Sequence, residues 1–282
     1  MILPSLTLWI EQHPSELDAV LLDIDGVMIN DGRRLPGSQH LLEILRSNRL
    51  PYLFLTNDGN HSTEEKSERL SRAGLAIGPD QIVSCGHALK PLVEEKRYTG
   101  RTFFIMGDLG TPCYAEAAGL KATRTLSSLK QCTGVIIGED NYPWEPVINA
   151  VVNFFIDRPD APLIVPNPDE FYPGGALKIH IAAGGVARFI QQVLKAYGLA
   201  LAPFYLGKPF APIFQKAHQL LERTQGRSIP PERILMAGDN LAADIAGANQ
   251  VGFRSALLLT GVTPADTLSK TDIQPEMIFT AL

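Results

Sequence analysis

The sequence predicts an α/β protein, a doubly wound parallel sheet with a second α/β domain inserted into it. Three observations carry this. Short, continuously apolar runs alternate along the chain with longer stretches of helical periodicity, as buried strands alternate with the helices that cover them. The runs end in turns built from Gly, Asp and Asn. The middle of the chain repeats the alternation as a set of its own, between two outer sets.

Taken in order, AVLLDI (Ala19 to Ile24) reads as a strand buried on both faces. Gly37-Ser38 then opens HLLEILRSN, where Leu41, Leu42 and Leu45 mark one helical face. PYLFLTN (Pro51 to Asn57) is the second strand. Ser62 with Glu65 forms a capping box for a helix that stops near Gly74. In the middle, strand-like runs begin at Phe103, Val135 and Pro162, and EPVINAVVNFFI and GVARFIQQVLKAYG are helical. FYLGK (Phe204 to Lys208), ILMAGD (Ile234 to Asp239) and SALLLT (Ser255 to Thr260) return to the outer set. The expected division is a core of residues 1–82 and 203–282 with an insert of 83–202.

Composition narrows the function. The 282 residues suit two domains, and with 45% hydrophobic and 20% charged residues the chain can fill a core. A net charge of −5 disfavours general nucleic-acid binding but not a small anionic substrate. Cys85, Cys113 and Cys132 form no CxxC pair and are odd in number, so neither a disulfide framework nor a zinc ribbon is expected, and a reducing compartment fits. No apolar run reaches the ~18 residues of a membrane span. MILPSLTLWIEQHPSE lacks a basic region ahead of its apolar residues, so no secretory signal is expected. The expectation is a cytoplasmic protein that binds neither membrane nor nucleic acid.

Four loops carry the chemistry, each at a strand end. Asp23-Ile24-Asp25-Gly26 leaves the first strand, and two carboxylates two residues apart can divide attack and proton transfer. Alone, the same residues make an Asp-Gly turn. A calcium loop is excluded because Val27 stands where the next oxygen ligand belongs. Asn30-Asp31-Gly32 is a hairpin turn and suggests a small flap. Thr56-Asn57-Asp58-Gly59-Asn60 offers a hydroxyl and successive N–H groups to a phosphate, or is an ordinary loop before the Ser62 cap. Gly207-Lys208-Pro209 fixes a lysine. Gly238-Asp239, with Asp244 five residues on, supplies further acids, although Asp239 alone would suit a helix N-cap. Together these residues have the makings of a Mg²⁺ and phosphoryl site.

LLDIDGV, LTN, GKP and GDN…AD, in that order, resemble the four motifs of the haloacid dehalogenase (HAD) superfamily. NPDEFYP (Asn167 to Pro173) in the insert, and VGFRSALLLTGVTP, resemble its subfamily IIA, the NagD-like group with an α/β cap. The resemblance implies Asp23 as nucleophile and Asp25 as general acid, then base. It implies Thr56 and the amides of Asn57 and Asp58 as phosphoryl ligands, with Lys208 neutralising the charge. Asp23, the Asp25 carbonyl and Asp239 would hold Mg²⁺, with Asp244 behind them.

The implied activity is hydrolysis of a small phosphate monoester, such as a sugar phosphate or nucleoside monophosphate, through an aspartyl-phosphate. A phosphotransferase or mutase, and a non-catalytic phosphate-binding protein, are the alternatives. A cap-mediated homodimer would fit the resemblance. Two features depart from the pattern: an acid, Asp58, in the phosphate loop, and a longer stretch from Phe171 to Ile181.

The remaining polar residues of the insert are less marked. Asn167 and Asp169 read equally as substrate contacts or as a turn. Asp108, Glu139 and Asp140 read as strand-end turns or caps. Phe189, Tyr197 and Phe210 read as core.

Overall fold

The computed structural model describes residues 2–173 and 178–282. The chain divides into two compact units, one of residues 1–56, 63–83 and 208–282, the other of 57–62 and 84–207.

The first unit is built on a seven-stranded sheet. Its strands lie in the order Ile2–Leu3, Met277–Phe279, Arg254–Leu258, Ile234–Gly238, Ala19–Leu22, Tyr52–Thr56 and Ile82–Ser84. Those from Ile2–Leu3 through Tyr52–Thr56 pair in parallel. From Ala19–Leu22 the chain winds outward one way through Tyr52–Thr56 and, much later, the other way through Ile234–Gly238. The strand order therefore reverses between Ala19–Leu22 and Ile234–Gly238. All four residues of Ala19–Leu22 are buried, which is why the run reads as continuously apolar. On one sheet face Val20, Leu22, Phe54, Leu235 and Ala237 join Leu41, Leu42 and Leu45 of the helix Ser38–Ser47. Ile29–Asn30 and Arg33–Arg34 pair antiparallel around Asp31 (φ 49°) and Gly32 (φ 71°). That is the two-residue turn that Asn30-Asp31-Gly32 predicts.

The second unit has a five-stranded parallel sheet in the order Phe204–Tyr205, Leu163–Val165, Gly134–Ile137, Thr102–Met106, Lys121–Thr123. Alternate residues serve opposite faces. Phe104, Met106, Val135 and Ile137 pack in one core with side chains from the helices Trp144–Asp157 and Ala183–Tyr197. Phe103, Ile105 and Ile136 pack in the other, with Leu89, Leu92 and Val93 of the helix Leu89–Glu95. Phe171–Pro173 and Ile179–Ile181 form a separate antiparallel pair. Part of the Phe171 to Ile181 stretch, residues 174–177, lies outside the described residues.

Two readings are corrected. The expected boundary at 202/203 places Phe204 in the core, but Phe204 and Tyr205 pair with Ile164 and Val165 and close the edge of the second sheet. Only two residues pair, and so short a run carries no signal of which sheet it will join. Phe189 and Tyr197 are not core residues: they are 45% and 66% exposed, and Phe189 lies 5.9 Å from the ring of Trp144. Phe210 is also partly exposed, at 37%. The three cysteines are free and buried. No helix among the described residues is long and apolar enough to cross a membrane.

Candidate active site

The first strand and its neighbour end together. Leu22 pairs with Ala237, and the Asp23 N–H donates to Ala237 O at 3.0 Å. Asp23 and Asp239 therefore leave adjacent carboxyl ends at the point where strand order reverses, where open α/β sheets bind their ligands. Among the described residues, carboxylate oxygens of Asp23, Asp239 and Asp244 lie within 4.8 Å of one another.

Each acid is seated by the local chain. Val262 N–H donates to Asp239 Oδ2 at 2.6 Å. Gly26 (φ +80°) leaves Asp239 its space, since a Cβ there would stand 2.2 Å from Oδ2. Asp244 lies in the turn Leu241–Ile245, opened by Asn240, whose Oδ1 accepts from the N–H groups of Ala242 and Ala243. This turn carries the Asp244 carboxylate back to accept from Asn240 N–H at 3.0 Å. Gly238 is required for that return: a Cβ would stand 2.2 Å from Asp244 Cγ.

Lys208 is 2% exposed, with Nζ 2.9 Å from Asp23 Oδ1 and 2.6 Å from Asp244 Oδ1, and it donates to Leu55 O at 3.0 Å. Burial works against its ammonium, but Asp23 and Asp244 outweigh it and hold the pKa above that of an ordinary lysine. Burial, with Asp244 and Asp239 nearby, raises Asp23 well above the usual carboxylate range despite Lys208. Asp239 is pushed up to about 7, first by burial and then by Asp244. Three crowded carboxylates facing one ammonium leave negative charge uncompensated. Their all-oxygen donor set fits a hard divalent cation.

Asp25 stands apart from this cluster. Its side chain is half exposed, and Oδ1 lies 2.8 Å from Nη2 of Arg69, on the helix Thr63–Arg72. Sequence reasoning missed Arg69, because one arginine on a charged helix face carries no signal of its partner. Thr56 ends its strand buried, at 4% exposure.

Asn57 and Asp58 follow Thr56 in the chain and belong to the second unit, as do Asn167 and Asp169. Asp58 Oδ1 accepts from the N–H groups of Asn60 at 2.9 Å and His61 at 3.1 Å, and His61 Nδ1 stands 3.0 Å from Oδ2. The departure at Asp58 is thereby explained: the acid caps its own loop. Asn57 Nδ2 donates to Asp169 Oδ1 at 3.0 Å. Asn167 Oδ1 accepts from Asp169 N–H at 2.9 Å, and Asn167 Nδ2 donates to Glu139 Oε1.

Glu139 is more than the turn or cap read from the sequence. It is 6% exposed, and burial lifts its pKa to about 7. The signal available was a glutamate directly after an apolar strand and Gly138.

Residues 20–121 match a family model described as haloacid dehalogenase-like hydrolase, and 205–282 one described as HAD-hydrolase-like. The ribonucleotide monophosphatase NagD of Escherichia coli (strain K12) is 28% identical over 265 residues, covering 92% of this chain and 94% of that protein. The dihydroxyacetone phosphatase of Corynebacterium glutamicum (strain R) is 26% identical over 267 residues, covering 93% and 88%. A crystal structure from Cytophaga hutchinsonii, described as a possible sugar phosphatase of the HAD superfamily, superposes with a TM-score of 0.82 at 28% identity, covering 100% of this chain and 98% of that one.

Proposed function

The chain belongs to the haloacid dehalogenase-like hydrolases, in the NagD-like subfamily, and on that premise we propose that it is a Mg²⁺-dependent phosphatase hydrolysing a small phosphate monoester through an aspartyl-phosphate. The observation that carries this reading is the meeting of Asp23, Asp239 and Asp244 around Lys208 at the sheet's reversal point.

Asp23 is the nucleophile. A carboxylate oxygen bonds to phosphorus as the ester P–O bond breaks. Asp25 donates a proton to the departing alkoxide, then takes one from the water that attacks the phosphorylated Asp23. Inorganic phosphate leaves and both carboxyls are restored. Thr56 and the amides of Asn57 and Asp58 receive the phosphoryl oxygens, and Lys208 supplies countercharge. Asp23, the Asp25 carbonyl and Asp239 would hold the Mg²⁺, with Asp244 behind them. When bound, the ion neutralises phosphoryl charge.

Relatives named for ribonucleotides and for dihydroxyacetone phosphate support a small phosphorylated metabolite as substrate. The test is release of inorganic phosphate from sugar phosphates, nucleoside monophosphates and p-nitrophenyl phosphate, with Mg²⁺ and with a chelator. Release that needs Mg²⁺ is expected. No release from any ester would leave a binding protein, and nitrophenolate release that needs an added sugar and yields no inorganic phosphate would point to phosphotransfer.

A further inference from the structure

Glu139 is a buried carboxyl that the chemistry above leaves unused. Its place is set by the backbone: Asp108 N–H donates to Glu139 O at 2.7 Å, and Glu139 N–H to Asp108 O at 2.9 Å. From its side chain a series of hydrogen bonds leads to the phosphate loop, all within the second unit. Asn167 Nδ2 donates to Glu139 Oε1, Asn167 Oδ1 accepts from Asp169 N–H, and Asp169 Oδ1 accepts from Asn57 Nδ2. The Asn167 amide has one sense only. Turned round, it would set its NH₂ against the Asp169 N–H, so Glu139 must be the acceptor.

We propose that Glu139 is a positioning residue that holds Asn57, through Asn167 and Asp169, in the place the phosphate loop requires. This rests on the phosphatase reading, in which the Asn57 amide receives a phosphoryl oxygen.

A carboxylate is a stronger acceptor than a neutral group and so orients Asn167 more firmly. The groups around Glu139 make that acceptor sensitive to pH. Burial raises its pKa, the Asn167 bond opposes this, and Asp58, Asp140 and Asp169 add to it, placing the value at about 7. The phenols of Tyr142 and Tyr172 also face it. Protonation weakens the bond to Asn167. The hold on Asn57 is therefore expected to loosen as pH falls through about 7, and KM to rise with it.

Two substitutions separate the acceptor from its charge. Glu139→Gln keeps an oxygen facing Asn167 and cannot titrate. Glu139→Leu removes the acceptor at similar volume. With p-nitrophenyl phosphate, the leucine variant is expected to raise KM about tenfold while kcat stays within about threefold, since a charge-assisted bond is lost and the reacting groups are untouched. The glutamine variant, whose acceptor is neutral at every pH, is expected to hold the parent's low-pH KM across the whole range, below that of the leucine variant. Asn167→Ala breaks the series at its second link and is expected to raise KM as Glu139→Leu does, which keeps the test open should that variant not fold. A parent KM in the folded leucine variant, a fall in kcat with KM unchanged, or equal damage in Glu139→Gln would each overturn the proposal.

A second readout needs no turnover. The side-chain amide resonances of Asn57 should titrate near neutral pH in the parent and lose that titration in Glu139→Gln and Glu139→Leu, lying furthest from the parent's position in Glu139→Leu. If the parent releases phosphate from no ester, the phosphatase reading fails on its own, and unmoved Asn57 resonances would overturn the positioning role.

Discussion

Arg69 reaches from its helix to Asp25, Nη2 to Oδ1, at 2.8 Å. Both side chains are more than one-third exposed, so the pair contributes only about 0–1 kcal/mol to stability. If Asp25 passes a proton to the leaving group, as proposed, this contact bears on that step. Arg69→Ala is expected to leave the thermal midpoint within about 2 °C and to change turnover of alkyl phosphates more than of p-nitrophenyl phosphate. Equal effects on both esters would separate Arg69 from the proton step.

The two carboxylates of Asp23-Ile24-Asp25 should part company in rapid-quench experiments. Nitrophenolate needs no proton to leave, so Asp25→Ala should give a burst of up to one nitrophenolate per site and then slow turnover, with acid-stable phosphate on Asp23. Asp23→Asn should give neither burst nor label. A label elsewhere, or no burst in an Asp25→Ala enzyme that still binds Mg²⁺, would overturn the assignment.

Lys208 is buried between Asp23 and Asp244, so its replacement tests the fold as well as the proposed phosphoryl countercharge. Lys208→Ala should lower kcat/KM by about 2–4 kcal/mol. It should also destabilise the metal-free protein by about 3 kcal/mol, since breaking a buried ion pair strands its partners. Denaturant titration with and without Mg²⁺ checks this, and a stability equal to the parent's would count against the buried pair.

The metal-free protein should become less stable as pH rises from 5.5 to about 8. Asp239 titrates at about 7 in the fold against an ordinary 3.8, and Asp23 is also raised. Between those values the folded chain holds more protons than the unfolded one. Stability therefore falls with rising pH, and the loss is complete once pH exceeds the folded pKa. Saturating Mg²⁺, which competes with those protons, should flatten or reverse the trend. Thermal midpoints across this range, in chelator and in Mg²⁺, provide the measurement.

Asp58 accepts loop N–H groups through Oδ1, and asparagine keeps that oxygen. Asp58→Asn should thus retain activity within about threefold, whereas Asp58→Ala should cost about 1 kcal/mol of stability through the lost cap. A severe loss in Asp58→Asn would mean that the charge itself is needed.

Much of the site was legible because a parallel α/β sheet gathers its strand ends. Asp23, Thr56 and Asp239 each follow an apolar run directly, so their common edge is implied by the runs alone. Lys208 reads as the end of a strand of the outer set, FYLGK, but the residues of that run that pair do so in the other sheet.

The sequence by itself determined the local structure and the order of the acids along it, because apolar periodicity, glycines and caps act over a few residues. It also carried the hairpin at Asp31 and Gly32, whose positive φ suits those residue types. Only the tertiary structure decided which side chains meet. Arg69 finds Asp25 across 44 positions, Asn57 finds Asp169 across 112, and Asn167 finds Glu139 across 28. Such pairings depend on how whole elements pack, and burial then sets the charge of Glu139 and Asp239, a property that no residue carries outside its surroundings.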